Sequence, residues 1–117
     1  MKQILILIGL TIYGLFAKEL PLPDGNYIFH HKFAEHPNIP SIRLDGKIDG
    51  NRIILINNDK KGIFPLGIIV DAPIYWHEKS KQWIILNFEE DKNAIDVGGC
   101  SNGPEVIDLV KKIYWTC

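Results

Sequence analysis

The feature that most restricts the fold of this chain is the regular spacing of its turn-forming residues. Strand-favouring residues come in runs of about five to eight, and Gly, Pro, Asn or Asp interrupts them about every 8–12 residues. The sequence therefore predicts a mainly β fold, a small antiparallel β-barrel or sandwich of about 7–8 strands. A chain of 117 residues has room for one such domain and not for two.

The predicted strands follow two patterns, period-two alternation and short continuous apolar runs. In the first strand, Gly25–Phe33, the adjacent His30 and His31 point to opposite faces because successive side chains of a strand alternate. Pro65 lies inside a later apolar run, which favours an edge position or a bulge there. The remaining predicted strands cover residues 41–48, 53–56, 63–70, 74–77, 82–88 and 94–97.

Turn chemistry predicts the register of one hairpin. A turn at Gly50 and Asn51 sets Asp49 opposite Arg52, whereas a turn one residue earlier would set Lys47 opposite Arg52. Directly opposed like charges destabilise a strand pair. The sequence therefore favours the turn at Gly50 and Asn51.

A second hairpin is predicted around a charged turn. Pairing across it sets Trp76 opposite Trp83 and Glu78 opposite Lys81. Two facing tryptophans stabilise a sheet, and an ion pair closes the turn. We take Trp76, His77 and Trp83 as candidate contact aromatics, with burial in the core as the alternative.

Residues 98–104 form the segment that we expect to carry a functional surface. Glycines permit unusual backbone angles, and a cysteine pins the middle of the loop, so that binding would cost it little entropy. The alternative is a plain connecting loop. The candidate partner-binding residues are Gly98, Gly99, Ser101, Asn102, Gly103 and Pro104.

Two structures compete after this loop. Pro104 is suited to begin a short C-terminal helix with Lys111 and Lys112 in its last turn, where cations favour the helix dipole. The competing interpretation is a final strand that ends at Cys117. We expect a turn or two of helix followed by a strand.

The first 17 residues predict an exported protein. Lys2, a long apolar run and a small residue at Ala17 form the pattern of a cleavable signal peptide. The run is shorter than the roughly 20 residues that a membrane-spanning helix needs, although an uncleaved anchor is the alternative. Residues 18–117 would then be a single exported β-rich domain in the periplasm or outside the cell, without stable membrane insertion.

Both cysteines, Cys100 and Cys117, lie near the C-terminus. An even number of cysteines in an exported chain predicts a disulfide, because that compartment is oxidising. The spacing is not the Cys-x-x-Cys of redox or metal sites.

Several function classes lack support in the sequence. The formal net charge is −1, and no stretch is strongly basic, since Lys60–Lys61 and Lys111–Lys112 are isolated pairs, so a nucleic-acid partner is not expected. The four histidines lack the spacing of a zinc site, and the serines lack a nucleophile-elbow pattern. We therefore predict no catalytic residues, no metal and no cofactor.

Two functions fit these observations best, and a minor hydrolase that uses a carboxylate or His77 in a cleft is a third alternative. The first is a small exported non-enzymatic binding protein, an inhibitor or immunity-type protein that acts on a cell-wall hydrolase or toxin, with a protein partner in the cell envelope. The second is a small β-barrel that carries an apolar small ligand. In its size, leader and disulfide-supported loop the chain resembles the small periplasmic β proteins that include bacterial lysozyme inhibitors, which implies the first function without a shared residue motif.

Overall fold

The computed structural model describes residues 18–117, and the predicted signal peptide at residues 1–17 lies outside the described residues. The described chain is mainly β, as predicted. Within it, no helix has the length and apolar character needed to cross a membrane. The strands are β1 (Gly25–Phe33), β2 (Arg43–Asp49), β3 (Arg52–Asn57), β4 (Gly67–His77), β5 (Gln82–Ile85), β6 (Ile107–Asp108) and β7 (Ile113–Thr116), and a 3₁₀ helix covers Glu89–Asn93.

The seven strands form one sheet in the order β5-β4-β3-β2-β1-β7-β6. Neighbouring strands are antiparallel except β1 and β7, which run parallel. The sheet is therefore mixed, whereas the sequence predicted an antiparallel one. No tight turn joins β1 to β7, so their relative direction is not restricted to the antiparallel one that a hairpin imposes.

The two ends of the sheet come together and nearly close it into a barrel. Ile84 of β5 forms an isolated antiparallel bridge with Val106, just before β6. The backbone N–H of Ile85 donates a hydrogen bond of 2.9 Å to the carbonyl of Glu105. We call this meeting of β5 and β6 the seam.

Inward-facing side chains fill the barrel. At its centre the ring of Phe29 lies against the backbone of Gly46, where a Cβ would come within 2.5 Å of the ring. A larger residue at position 46 would therefore displace the ring. The buried apolar cluster contains Phe29, Ile42, Leu44, Ile48, Ile53, Leu55, Val70, Ala72, Ile74, Trp83, Ile85, Ile107, Leu109 and Tyr114.

Both predicted hairpins are confirmed. In the β2–β3 hairpin Asp49 lies opposite Arg52, and Gly50 has a φ of 61°, the left-handed conformation that a tight hairpin turn requires. In the β4–β5 hairpin Trp76 lies opposite Trp83.

The predicted short C-terminal helix is wrong, because residues 104–112 instead contain β6 and the turn of the β6–β7 hairpin. The Pro104 carbonyl accepts a hydrogen bond of 2.8 Å from Gly98 N–H, which takes it out of any helical ladder. The Asp108 carboxylate accepts the backbone N–H groups of Val110 and Lys111 at 3.0 and 2.8 Å. This side chain therefore supports the turn of the hairpin.

Four strand predictions were also wrong, and one of them, residues 82–88, ends as a strand at Ile85. The sequence predicts separate strands at residues 63–70 and 74–77, but β4 begins at Gly67 and runs continuously through Pro73. Pro73 lies where pairing with β3 ends and pairing with β5 begins. Residues 94–97 are not a strand. They follow the 3₁₀ helix as irregular backbone with bends.

Candidate functional site

The loop at residues 98–104 is a compact turn held by its own hydrogen bonds. Gly98 and Gly99 have φ angles of 68° and 56°, so both positions use the left-handed conformation that glycine favours. Ser101 Oγ donates to the Gly98 carbonyl at 2.7 Å and accepts the Gly103 N–H at 3.2 Å. The hydroxyl of Ser101 therefore braces the loop from inside.

The predicted disulfide between Cys100 and Cys117 is confirmed, with the two Cα atoms 4.6 Å apart. Cys117 directly follows β7, whose hydrogen bonds fix it beside β1. The bridge therefore ties the middle of the loop to the sheet.

The loop tip rests on the segment before it. Gly103 packs so closely against the Asp96 carbonyl that a Cβ would lie 1.7 Å from its oxygen. Ser101 and Asn102 are exposed, and they border a surface depression of about 420 Å³ that is also lined by Ile95. Ile95 is 78% exposed, so an apolar side chain stands beside the polar tip.

His77, one of the candidate contact residues, lies buried behind the β4–β5 turn. Its Nε2 donates to the Ala94 carbonyl at 2.7 Å. Its Nδ1 accepts the backbone N–H of Ser80 at 3.2 Å and lies 2.7 Å from the Ser80 hydroxyl. Because both ring nitrogens are engaged and the residue is 2% exposed, His77 supports the hairpin and offers almost no surface to a partner.

Trp76 and Trp83 lie edge to face with their ring centroids 5.2 Å apart. Both line an open cleft of about 380 Å³ at the seam, and Trp115 of β7 lines it too. We call this the tryptophan cleft, and besides the three tryptophans its lining includes Lys18, Glu19, Lys81, Gln82 and Asp108.

Polar groups fix the orientation of the outer tryptophan. The indole Nε1 of Trp76 donates to Glu78 Oε2 at 2.8 Å, and Lys81 forms an ion pair with the other carboxylate oxygen. Hydrogen bonds from Lys81 and Trp76 hold the pKa of Glu78 below its usual value. The Lys18 ammonium lies 4.5 Å from the Trp76 ring centroid, a cation–π distance.

Sequence reasoning did not place Lys18 or Trp115 beside the tryptophan pair, nor Ile95 beside the loop tip. Trp115 reaches the cleft through the pairing of β7 with β6 at the seam, and Lys18 reaches it from the segment before β1. Ile95 was assigned to a predicted strand. No local pattern in the sequence could have revealed either neighbourhood.

The histidines show no convergent site. His30 is exposed and His31 buried, which confirms that they lie on opposite faces of β1. Within residues 18–117, no group of three or more His, Cys, Asp or Glu side chains is arranged to hold a metal ion.

Comparisons with protein-family models, with curated proteins and with solved structures gave no match to this chain.

Proposed function

We propose that this chain is a small exported non-enzymatic binding protein that contacts a protein partner in the cell envelope through the 98–104 loop. Its role is that of an inhibitor or immunity-type protein acting on a cell-wall hydrolase or toxin. The observation that carries the proposal is the disulfide-pinned tip, in which the exposed Ser101 and Asn102 stand beside an exposed isoleucine.

The chemistry of this tip supports protein recognition. An exposed apolar anchor next to polar groups is the arrangement of a small interface core with a polar rim. Ile95 supplies the anchor, and Asn102 supplies an amide that can both donate and accept hydrogen bonds. Because the loop is already braced, its ordering costs little free energy when a partner binds.

The disulfide supports the exported compartment, since such bridges form and persist in oxidising surroundings and are rare in the cytosol. The packed interior favours a binding surface over the carrier alternative. Phe29, Leu44 and Leu55 are fully buried inside the barrel, in the space that an apolar ligand would need.

The test is affinity capture from an envelope extract of the host, with the purified wild-type protein and the variants Asn102→Ala and Ile95→Ala as baits. Loss of the Ile95 side chain from an interface core is expected to weaken a captured complex by more than about 1 kcal/mol, roughly five-fold or more. Binding of the identified partner is then measured by calorimetry.

Ile39→Ala is the matched control, because Ile39 is 51% exposed and lies in a different loop. It should bind the partner as wild type does. Equal affinity of wild type, Ile95→Ala and Asn102→Ala would remove the loop from the binding surface and overturn the proposal.

A further inference from the structure

The tryptophan cleft lies at the seam, where the barrel is least complete. Ile84 of β5 forms the bridge with Val106, which lies just before β6. Trp83 of β5 and Asp108 of β6 line the cleft beside that bridge. All three tryptophans of the chain line this cleft. A cleft of about 380 Å³ is in the size range of small-molecule sites.

A cation already occupies part of the cleft. The Lys18 ammonium lies over the face of Trp76 at 4.5 Å from the ring centroid. Trp76 is held in place by its bond to Glu78 and by the edge-to-face contact with Trp83. The chain therefore presents a fixed aromatic face on which an alkylammonium group rests.

The charges around the cleft favour a cation once Lys18 moves away. Glu19 and Asp108 line the cleft directly, and the Glu78 carboxylate is bonded to Trp76. Among residues 18–117, the only other basic residue that lines the cleft is Lys81, which is paired with Glu78. Vacating the Trp76 face thus leaves two acidic residues in the lining of the cleft, Glu19 and Asp108, of which Asp108 also accepts backbone N–H groups of the β6–β7 turn.

We propose that the tryptophan cleft binds a small alkylammonium compound, and that Lys18 is an internal occupant that the ligand displaces from the Trp76 face. The ring quadrupole attracts the cation, and the carboxylates add electrostatic attraction. Among the described residues, Lys18 lies outside any strand, in the segment before β1, where displacement breaks no sheet pairing. This inference stands apart from the proposed function, because the cleft and the loop share no lining residue.

The test is a titration of the purified protein with choline, followed by intrinsic tryptophan fluorescence at constant ionic strength. The emission reports on the cleft directly, since all three tryptophans line it. The matched neutral probe is 3,3-dimethylbutan-1-ol, which has the shape of choline without its charge. Saturable binding of choline with markedly weaker binding of the alcohol is the expected result.

Lys18→Met removes the internal cation and keeps the apolar stem. It should tighten choline binding about two- to five-fold, the range of an exposed cation–π contact. Lys79→Met is the control, because Lys79 is an exposed lysine on the β4–β5 turn and does not line the cleft. Glu78→Gln keeps an acceptor for the Trp76 indole and removes the charge, so it should weaken choline binding, whereas Glu90→Gln should not.

A third probe, Nα-acetyl-lysine methylamide, identifies the source of the ammonium. Stronger binding of choline supports a free quaternary amine, and stronger binding of the lysine derivative supports a lysine side chain of a partner. Equal binding of choline and its neutral analogue, or no effect of Lys18→Met, would overturn the proposal. Binding of a neutral sugar such as N-acetylglucosamine in place of choline would do the same.

Discussion

At the scale of single residues, the imidazole of His31 is a polar group enclosed by aromatic rings. Its Nδ1 lies 2.5 Å from Ser41 Oγ and its Nε2 lies 2.7 Å from Thr116 Oγ1. Phe33 and Phe64 pack edge to face on it, with centroids 4.7 and 4.8 Å away. Two hydroxyls can satisfy a neutral ring, whereas a charged ring would lose its hydration in this site.

Burial lowers the pKa of His31 below its usual value. The unfolded chain therefore binds a proton more readily than the folded protein does. The contribution of the neutral His31 ring to the free energy of unfolding should be complete above about pH 6.5, the ordinary pKa of histidine. It should be lost as the pH drops from that value through the lower pKa of the folded protein. One proton gives a slope of at most about 1.4 kcal/mol per pH unit.

We expect His31→Gln to reduce this loss of stability between pH 7.5 and pH 5, as measured by urea unfolding at each pH. The quantity compared is the change in the free energy of unfolding per pH unit, because the substitution itself also changes packing and shifts the absolute stability. His30→Gln is the control, since His30 is exposed on the other face of the same strand. A slope that His31→Gln leaves unchanged would contradict the assignment.

At the scale of elements, the β4–β5 hairpin connects the core, the tryptophan cleft and the 3₁₀ helix. Trp76 and Trp83 face the cleft side, and the buried His77 on the other side bonds to the Ala94 carbonyl. The register of this hairpin decides which side chains reach each face. A shift of the register by one residue would turn His77 toward the cleft and Trp76 toward the 3₁₀ helix.

A double-mutant cycle tests the coupling of the two indoles. Trp76→Leu and Trp83→Leu together should destabilise the protein less than the sum of the single changes, by about 0.5–1.5 kcal/mol, because the second change finds the edge-to-face contact already lost. The measurement is urea unfolding of the four proteins. Trp83→Leu combined with Ile39→Ala should be additive, and additivity of the tryptophan pair as well would mean that the contact contributes nothing.

At the scale of the whole molecule, the barrel depends on contacts that hold its two ends together. Glu105 contributes twice at the seam, since its carbonyl accepts the Ile85 N–H and its carboxylate accepts the Tyr114 hydroxyl at 2.6 Å. The disulfide adds a covalent tie between the loop before β6 and the end of β7. Both features limit how far β6 and β7 can separate from the rest of the sheet.

Replacing both cysteines by serine should lower the free energy of unfolding by about 3 kcal/mol, because the bridge closes a loop with a sequence separation of 17. Urea unfolding of wild type and of Cys100→Ser/Cys117→Ser measures the loss. A reducing agent should destabilise wild type by a similar amount and leave the double variant unaffected. Equal midpoints for all samples would show that the bridge does not stabilise the fold.

Local chemistry in the sequence was sufficient to determine the hairpins and the strand character. The turn at Gly50 and Asn51 and the facing Trp76 and Trp83 depend on residues within about ten positions of one another, and cross-strand pairing and turn geometry act over that distance. The first strand was predicted with its observed bounds, Gly25–Phe33, and the disulfide followed from two cysteines and the predicted compartment.

Only the tertiary structure decided how the ends of the sheet meet. β7 lies parallel to β1, Val106 bridges to Ile84, and Trp115 joins the tryptophan cleft from the far end of the sheet. The helix predicted from Pro104 failed for the same reason, since distant partners compete with local propensity for those backbone groups. Pairing between residues far apart in sequence depends on the closure of the whole barrel, and no local pattern encodes it.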